Sequence, residues 1–290
     1  MTQLQQPFTA AHRATADVAG SAAMNGLARF GLVARGFVYV LVGWIAVQIA
    51  VGRGSGTSQE ADQHGALAEV ARHPFGVALL WLVAVGFAGY AFWRISEALA
   101  GTGVNGDQTS GRLKSAGRGI VYAALCISTV TFILGRSRQP QSQKETTLTG
   151  RVMQHDFGRW LVGLVGLVLV VVGVVMVVDG LKKKFQKELR LDELTGPTRT
   201  WVLRLGLAGS VSRGIVFAIT GLLVLDAAIT FDPKKSSGMD GALRTLADRP
   251  YGGWLLGVVA LGLIAFGLFA FAQARWARIG GSEPGGHSSH

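Results

Sequence analysis

Three arginines stand where long apolar runs begin, a position in which an isolated charge is unfavourable and therefore informative. Arg35 begins RGFVYVLVG, Arg118 begins RGIVYAALC and Arg213 begins RGIVFAITG. A glycine follows each arginine directly, and an aromatic residue follows it after four positions. A guanidinium carries five N–H donors in a planar fork and pairs well with carboxylates and phosphates. The three copies therefore predict pairing with acids or recognition of an anion.

Each arginine has a counterpart that ends the next apolar run. A second glycine follows the arginine at nearly the same distance in every copy, and a polar residue follows that glycine at a constant spacing. These polar residues are Glu97, Asp179 and Gln273. Because the intervening helix of about 21 residues spans about 30 Å, one hydrocarbon thickness, we expect them at the same depth as the three arginines.

Two interpretations of these six residues stay open. In the first, ion pairs lock the cytoplasmic helix ends, either within one hairpin or between one hairpin and the next. The third copy then leaves Arg213 facing the neutral Gln273. In the second, the arginines form a ring that coordinates an anion or a lipid phosphate.

A polar residue also recurs at a constant spacing after each arginine, inside the apolar run. These residues are Gln48, Thr131 and Asp226. An ionisable group such as Asp226 at that depth is a functional candidate. The alternative is a structural role, in which water or a basic residue of the adjoining loop, where Lys234 and Lys235 lie, satisfies the carboxylate.

A third repeated set precedes the second run of each copy, in the motifs HPFG, HDFG and RPYG. Its members are His73, His155 and Arg249. Such residues can bind phospholipid headgroups or respond to pH, and they can equally be surface residues without a function. A metal site is not expected, because no acid or second histidine recurs at ligand spacing.

The elements that must position these residues are membrane-spanning helices. The chain has 290 residues, of which 49% are hydrophobic and only 16% charged. Six segments are long enough to cross a bilayer, at about 35–51, 75–97, 118–135, 159–179, 213–231 and 252–273. Runs such as LVGLVGLVLVVVGVVMVV lack the alternation of membrane strands. We therefore predict an all-α integral membrane protein.

The repeated residues divide the chain into three tandem units. Each unit comprises a helix, an outer loop with a short amphipathic helix, and a second helix. Two spans per unit give all three units the same orientation, so they are parallel repeats. We expect repeats at 27–101, 112–185 and 202–278, a disordered cytoplasmic arm at 1–26 and a flexible tail at 279–290.

The repeated Arg-Gly and Pro-aromatic-Gly elements resemble those of a bacterial membrane-protein family known as domain of unknown function 1206. The resemblance covers residues 27–278, and HDFG departs from it by lacking the proline. It implies six transmembrane helices in three two-helix units and no assigned activity.

The basic residues predict the orientation. Of 28 lysines and arginines, 17 lie on the face that carries both termini and 11 on the other. The positive-inside rule places both termini in the cytoplasm of a multi-pass plasma-membrane protein. It also explains the net charge of +11 without nucleic acid. The basic, amphipathic run DGLKKKFQKEL should lie against anionic lipid headgroups.

The sequence lacks the motifs of common membrane enzymes. The predicted spans contain no histidine, and the P-loop, HExxH and GxSxG motifs are absent. Cys126 takes the place of a repeated small residue, so we interpret it as a packing residue.

We therefore expect a non-enzymatic, lipid-associated scaffold or an accessory subunit of a membrane complex. We expect bound phospholipid, no other cofactor, and a protein partner or a homo-oligomer. The alternative is a small channel or transporter whose pseudo-threefold axis is lined by Gln48, Thr131 and Asp226.

The orientation can be tested with a cysteine placed in the first outer loop. We expect a membrane-impermeant thiol reagent to label it from outside the cell, because that loop belongs to the face with fewer basic residues. Labelling only in inverted vesicles would contradict the orientation.

Overall fold

The computed structural model describes residues 22–52, 60–100, 109–135, 141–155 and 157–277. Within these ranges the chain forms nine α-helices, numbered here in chain order. They are α1 (Ala22–Ala50), α2 (Gln63–Ala71), α3 (Gly76–Ala100), α4 (Thr109–Ile133), α5 (Gln141–Met153), α6 (Gly158–Leu181), α7 (Gly196–Thr230), α8 (Gly238–Ala247) and α9 (Gly252–Trp276). Three short 3-10 helices lie at Lys184–Glu188, Leu191–Glu193 and Pro233–Lys235.

The predicted all-α membrane fold is confirmed. Six helices, α1, α3, α4, α6, α7 and α9, are long and apolar enough to cross a membrane. The short helices α2, α5 and α8 each lie between the two long helices of one repeat. All three therefore belong to one end of the molecule, which we call the cap end, and the other end is the arginine end.

The first span of each repeat begins earlier than predicted. Helices α1, α4 and α7 start at Ala22, Thr109 and Gly196, each at least two turns before its repeated arginine. The prediction began each of these spans at its arginine, where the apolar run starts. Helical hydrogen bonding nevertheless extends into the preceding, more polar residues, which have adequate helix propensity. Helix α1 thus overlaps the arm predicted at 1–26, while residues 1–21 and the predicted tail lie outside the described residues.

The basic segment after α6, which is predicted to lie against anionic headgroups, does not continue the α-helix. It turns at Lys183, which has a positive φ of 52°, into the 3-10 helix Lys184–Glu188. Leu189 is fully buried, and the Arg190 N–H donates to the Trp276 carbonyl at 2.9 Å. This pairing with the end of α9 fixes the segment in a turn. Its lysines, Lys182, Lys183, Lys184 and Lys187, remain exposed.

A tight turn explains the glycine that starts each second span. The N–H groups of Gly76, Gly158 and Gly252 donate to the carbonyls of His73, His155 and Arg249 at 2.9, 2.8 and 2.6 Å. A Cβ at these glycines would lie 1.9, 1.6 and 2.0 Å from a backbone carbonyl oxygen of the preceding short helix. Only glycine fits, so the turn requires this residue in every copy.

The closest helix packing joins one repeat to the next. The second span of each repeat packs on the first span of its successor, as α3 on α4, α6 on α7 and α9 on α1. Glycines make this approach close. A Cβ at Gly214 would lie 2.8 Å from the Gly173 carbonyl oxygen, and a Cβ at Gly221 would lie 2.5 Å from the Val170 nitrogen. Because α9 packs on α1, the last repeat also contacts the first.

The resulting ring of six spans is open at one place. Helices α1 and α3 pack together, as do α7 and α9, and these contacts join the two spans of the first and third repeats. In the described part of the chain, α4 and α6 of the middle repeat do not pack on each other. The bundle therefore has a gap between α4 and α6, and the threefold repetition of the sequence is not matched in the packing.

The turn glycine can be tested by substitution. We expect Gly158→Ala to destabilise the protein by about 2 kcal/mol or more, because the new Cβ meets the Val152 carbonyl oxygen. Gly117→Ala is the matched control, since nothing lies within 4 Å of its Cβ position and alanine favours the helix. Thermal unfolding in detergent measures both variants, and equal melting temperatures would contradict the steric explanation.

Candidate functional site

The three repeated arginines occupy two different environments. Arg35 and Arg213 are half-buried and lie in the interior, near the arginine end of the bundle. The Arg118 side chain is 45% exposed and forms an ion pair with Glu188 at 2.9 Å. Burial alone would raise the pKa of Glu188, but attraction by Arg118 and Arg94 outweighs burial and lowers that pKa. The charge of Arg118 is thus neutralised by Glu188, and its side chain lies outside the interior.

Arg35 has aromatic and neutral polar contacts. Its Cζ lies 4.5 Å from the centre of the Phe266 ring, and its Nη2 donates to Gln273 Oε1 at 3.3 Å. Tyr122 presents its hydroxyl to the same guanidinium. The Arg35 Nε is buried and has no hydrogen-bond partner among the described residues.

Arg213 approaches the same phenylalanine ring. Its Cζ is 5.0 Å from the centre of Phe266, 5.4 Å from Tyr39 and 5.3 Å from Phe217. Its Nε, too, is buried without a partner among the described residues. No described carboxylate forms an ion pair with Arg35 or Arg213. We call Arg35, Arg213, Phe266, Tyr39, Tyr122 and Gln273 the interior arginine cluster.

Cation–π contacts offset only part of the desolvation of two cations. Each contributes about 0.5–2 kcal/mol, whereas removing a charge from water costs several kcal/mol when no counter-charge replaces it. The cluster holds two cations within reach of one phenylalanine. No described carboxylate forms an ion pair with either cation, although the charge of Glu188, which pairs with Arg118, also acts on Arg35. A phosphate or carboxylate placed between the guanidinium groups would meet unused donors from both.

A fourth arginine, Arg94, was missed by the repeat comparison because the other copies lack it. Its Nη1 lies 2.7 Å from Glu97 Oε2, and its Nε and Nη2 donate to the Tyr90 hydroxyl at 3.1 and 3.0 Å. Glu97 also accepts from Ser115 Oγ at 3.0 Å. The i,i+3 spacing of Arg94 and Glu97 on one helix is the signal that could have identified this pair.

The three span-ending residues do not pair as the repeat spacing suggests. Gln273 accepts from Arg35 rather than from Arg213, because α9 packs on α1. Asp179 pairs with Lys184, in the turn that follows its own helix. Glu97 contacts Ser115 of the next repeat. Gln273 and Glu97 therefore join one repeat to another. Among the described residues, Arg213 pairs neither with a span-ending residue nor with any other carboxylate.

The polar positions inside the spans are not brought together. Asp226 forms an ion pair with Lys235 at 2.8 Å, and its side chain is 48% exposed. The Thr131 hydroxyl donates to the Ser128 carbonyl at 2.9 Å. Gln48 is half-buried. Within the described ranges, no hydrogen bond or ion pair connects these three residues to one another.

The set before the second spans occupies equivalent exposed turns. His73 Nε2 lies 3.8 Å from Glu69, and the His155 ring contacts the Arg151 carbonyl at 3.1 Å. Arg249 is exposed. Their shared role in the structure is to supply the carbonyl that the turn glycine binds.

The cap end contains a carboxyl cluster that joins all three repeats. The Ala61 N–H donates to Asp240 Oδ1 at 2.8 Å, and the Ser142 N–H donates to Glu60 Oε1 at 3.0 Å. Asp62 caps α2 by accepting from the Gly65 N–H at 3.0 Å. Sequence comparison missed this cluster because its members come from distant segments without a shared motif.

Asp62 has an unusual protonation equilibrium. Burial raises its pKa to about 7, against the Gly65 hydrogen bond that lowers it, and the charges of Glu60, Asp240 and Glu145 raise it further. His64, Lys144 and Arg244 are the basic groups close to this cluster.

Comparison with known proteins agrees with the repeat structure. The family model for Domain of Unknown Function (DUF1206) matches three segments, residues 30–101, 113–183 and 208–277. A relative from Bacillus subtilis (strain 168), "Uncharacterized protein YxxB", is 32% identical over 236 residues, which cover 80% of this chain and 84% of the relative. No solved structure matches.

The raised pKa of Asp62 predicts a pH-dependent stability. Between about pH 4 and pH 7 the folded protein binds the proton and the unfolded chain does not, so stability falls as pH rises through this window. The effect is at most about 4 kcal/mol. We expect Asp62→Asn, which keeps a capping side chain, to flatten the melting temperature between pH 5 and pH 8. Asp232→Asn is the control, because Asp232 caps the 3-10 helix Pro233–Lys235 by accepting from the Lys234 N–H. An unchanged pH slope in Asp62→Asn would contradict the assignment.

Proposed function

The chain belongs to the DUF1206 family of polytopic membrane proteins, and we propose that it binds an anionic phospholipid through the interior arginine cluster. In this proposal the protein is a non-enzymatic, lipid-associated scaffold. The observation that carries the proposal is that Arg35 and Arg213 approach the same Phe266 ring without a carboxylate partner among the described residues.

The depth of the cluster suits a lipid phosphate. At a rise of about 1.5 Å per residue, α1 climbs about 22 Å from Arg35 to its cap end at Ala50. By the same measure α7 climbs about 26 Å from Arg213 to its end at Thr230. Both lengths fall within a hydrocarbon core of about 30 Å. The two guanidinium groups therefore lie near the core boundary at the arginine end, within reach of the phosphates of that leaflet.

The donors around the cluster suit a phosphate better than a small halide. Two planar guanidinium groups can each offer paired N–H donors to phosphate oxygens, and the Tyr122 hydroxyl supplies a further polar contact. In the described part of the chain the cluster includes neither histidine nor carboxylate, the usual general acids and bases. This composition supports binding rather than catalysis.

The orientation inferred from the basic residues agrees with this proposal. If the cap end lies outside the cell, the arginine end faces the cytoplasmic leaflet, which carries anionic lipids. The exposed Lys182, Lys183, Lys184 and Lys187 follow α6 at the same end. They would attract anionic headgroups towards the cluster, since each basic residue near such a surface contributes about 1 kcal/mol.

The channel alternative has less support. It requires Gln48, Thr131 and Asp226 to share a polar axis, but Asp226 pairs with Lys235 of its own repeat and Thr131 with its own helix. The role as a subunit of a larger complex is compatible with lipid binding and is part of the same proposal.

The proposal can be tested by counting retained lipids. We expect wild-type protein purified in mild detergent to retain an anionic phospholipid in native mass spectrometry. Arg35→Gln and Arg213→Gln should each lower the retained fraction at least about tenfold, a loss of roughly 1.4 kcal/mol or more. Arg118→Gln is the matched control, because this repeat-equivalent arginine lies outside the cluster.

Equal lipid retention in the cluster variants and the control would overturn the proposal. If glutamine prevents folding, Arg213→Lys keeps the charge but lacks the guanidinium fork. We then expect weakened retention in a folded protein, with folding checked by size-exclusion chromatography.

A further inference from the structure

A groove on the side of the bundle lies between α5, α6 and α7. Its volume is about 460 Å³, and its walls are mainly apolar. Leu161, Val165 and Leu169 of α6 form one wall, and Phe217 and Val224 of α7 form another. At the cap end the groove reaches α5, Ser236 and the first residues of α8.

The groove begins where the interior arginine cluster ends. Phe217 lines the groove, and the centre of the same ring lies 5.3 Å from Arg213 Cζ. The polar and apolar parts are therefore separated by one aromatic side chain. A molecule with an anionic head on Arg213 and an apolar tail would continue from one part into the other.

The length of the groove suits one acyl chain. Phe217 and Val224 are two helical turns apart on α7, or about 10 Å, and the helix continues to Thr230 about 20 Å from Phe217. An acyl chain spans one leaflet, about 15 Å of the hydrocarbon core. A chain whose phosphate lies at the arginine end would therefore extend towards α5 without leaving the groove.

Helix α6 borders both the groove and the opening of the helix ring. In the first and third repeats the two spans pack on each other, whereas α4 and α6 do not do so within the described ranges. The wall formed by α6 belongs to the most apolar of the six spans, with a mean hydropathy of 3.2. A lipid that enters the gap would meet this apolar helix on its way to the groove.

We infer that the groove between α5, α6 and α7 holds one acyl chain of the phospholipid whose phosphate lies on Arg35 and Arg213, and that this lipid enters between α4 and α6. This inference rests on the proposed function and specifies its ligand as a lipid bound by both head and tail. A free phosphate ion would use the arginines alone.

The experiment compares a complete lipid with its headgroup. Binding of phosphatidylglycerol and of glycerol phosphate to the full-length protein is measured by native mass spectrometry. Leu169→Trp places a large side chain in the groove. Val168→Trp is the control, because Val168 is the neighbouring residue on α6, is 51% exposed and does not line the groove. Folding of each variant is checked by its melting temperature.

We expect wild-type protein to bind phosphatidylglycerol at least about tenfold more tightly than glycerol phosphate. Leu169→Trp should lose this preference and still bind glycerol phosphate, while Val168→Trp should keep both. If Leu169→Trp does not fold, Leu169→Phe replaces it as a smaller obstruction, with the same expected direction.

Three outcomes would overturn the inference. Equal binding of the two probes to wild-type protein would show that the site takes a phosphate without a tail. Unchanged phosphatidylglycerol binding in a folded Leu169 variant would place the tail elsewhere, while the proposed function would stand. Phosphatidylglycerol binding that survives both Arg35→Gln and Arg213→Gln would indicate annular lipid only and would remove the proposed function as well.

Discussion

The architecture depends on the close approach of each repeat's second span to the first span of the next repeat. Glycines on both sides of these contacts, such as Gly214 facing Gly173 and Gly36 facing Gly267, bring the backbones together. In a bilayer, where lipid tails are as apolar as side chains, this packing replaces the hydrophobic effect as the force that associates helices. The same packing places Gln273 beside Arg35 and closes the chain on itself through α9 and α1.

Three similar sequences produce an asymmetric site because the environments of their arginines differ. Arg35 and Arg213 both contact Phe266 of α9. Arg118 has an acid available in Glu188, a residue of the turn after α6, and it leaves the interior. The gap beside α4 also belongs to the middle repeat, because within the described ranges its two spans do not pack on each other. The asymmetry leaves the molecule with one interior arginine cluster instead of three equivalent arginine environments.

Much of the fold follows from the sequence, because hydropathy and repeat spacing depend on local residues. The six spans, the short helices between them and the glycines that begin the second spans are of this kind. The partners of the charged residues do not follow from the local sequence. Whether Gln273 meets Arg35 or Arg213 depends on which helices pack together, and whether Arg118 faces inward depends on the rotation of α4. The carboxyl cluster of Glu60, Asp62 and Asp240 depends on contacts between segments that are far apart in the chain, as the bond from Ala61 to Asp240 shows.

The closure of the ring through α9 and α1 has a consequence for biosynthesis. Arg35 and Gln273 are separated by 238 positions, and ribosomes add about 5–20 residues per second. The first span therefore waits in the membrane for tens of seconds before Phe266 and Gln273 are made. During that interval Arg35 lacks the contacts that Phe266 and Gln273 later provide. The interior arginine cluster is therefore complete only when α9, the last described helix, packs on α1.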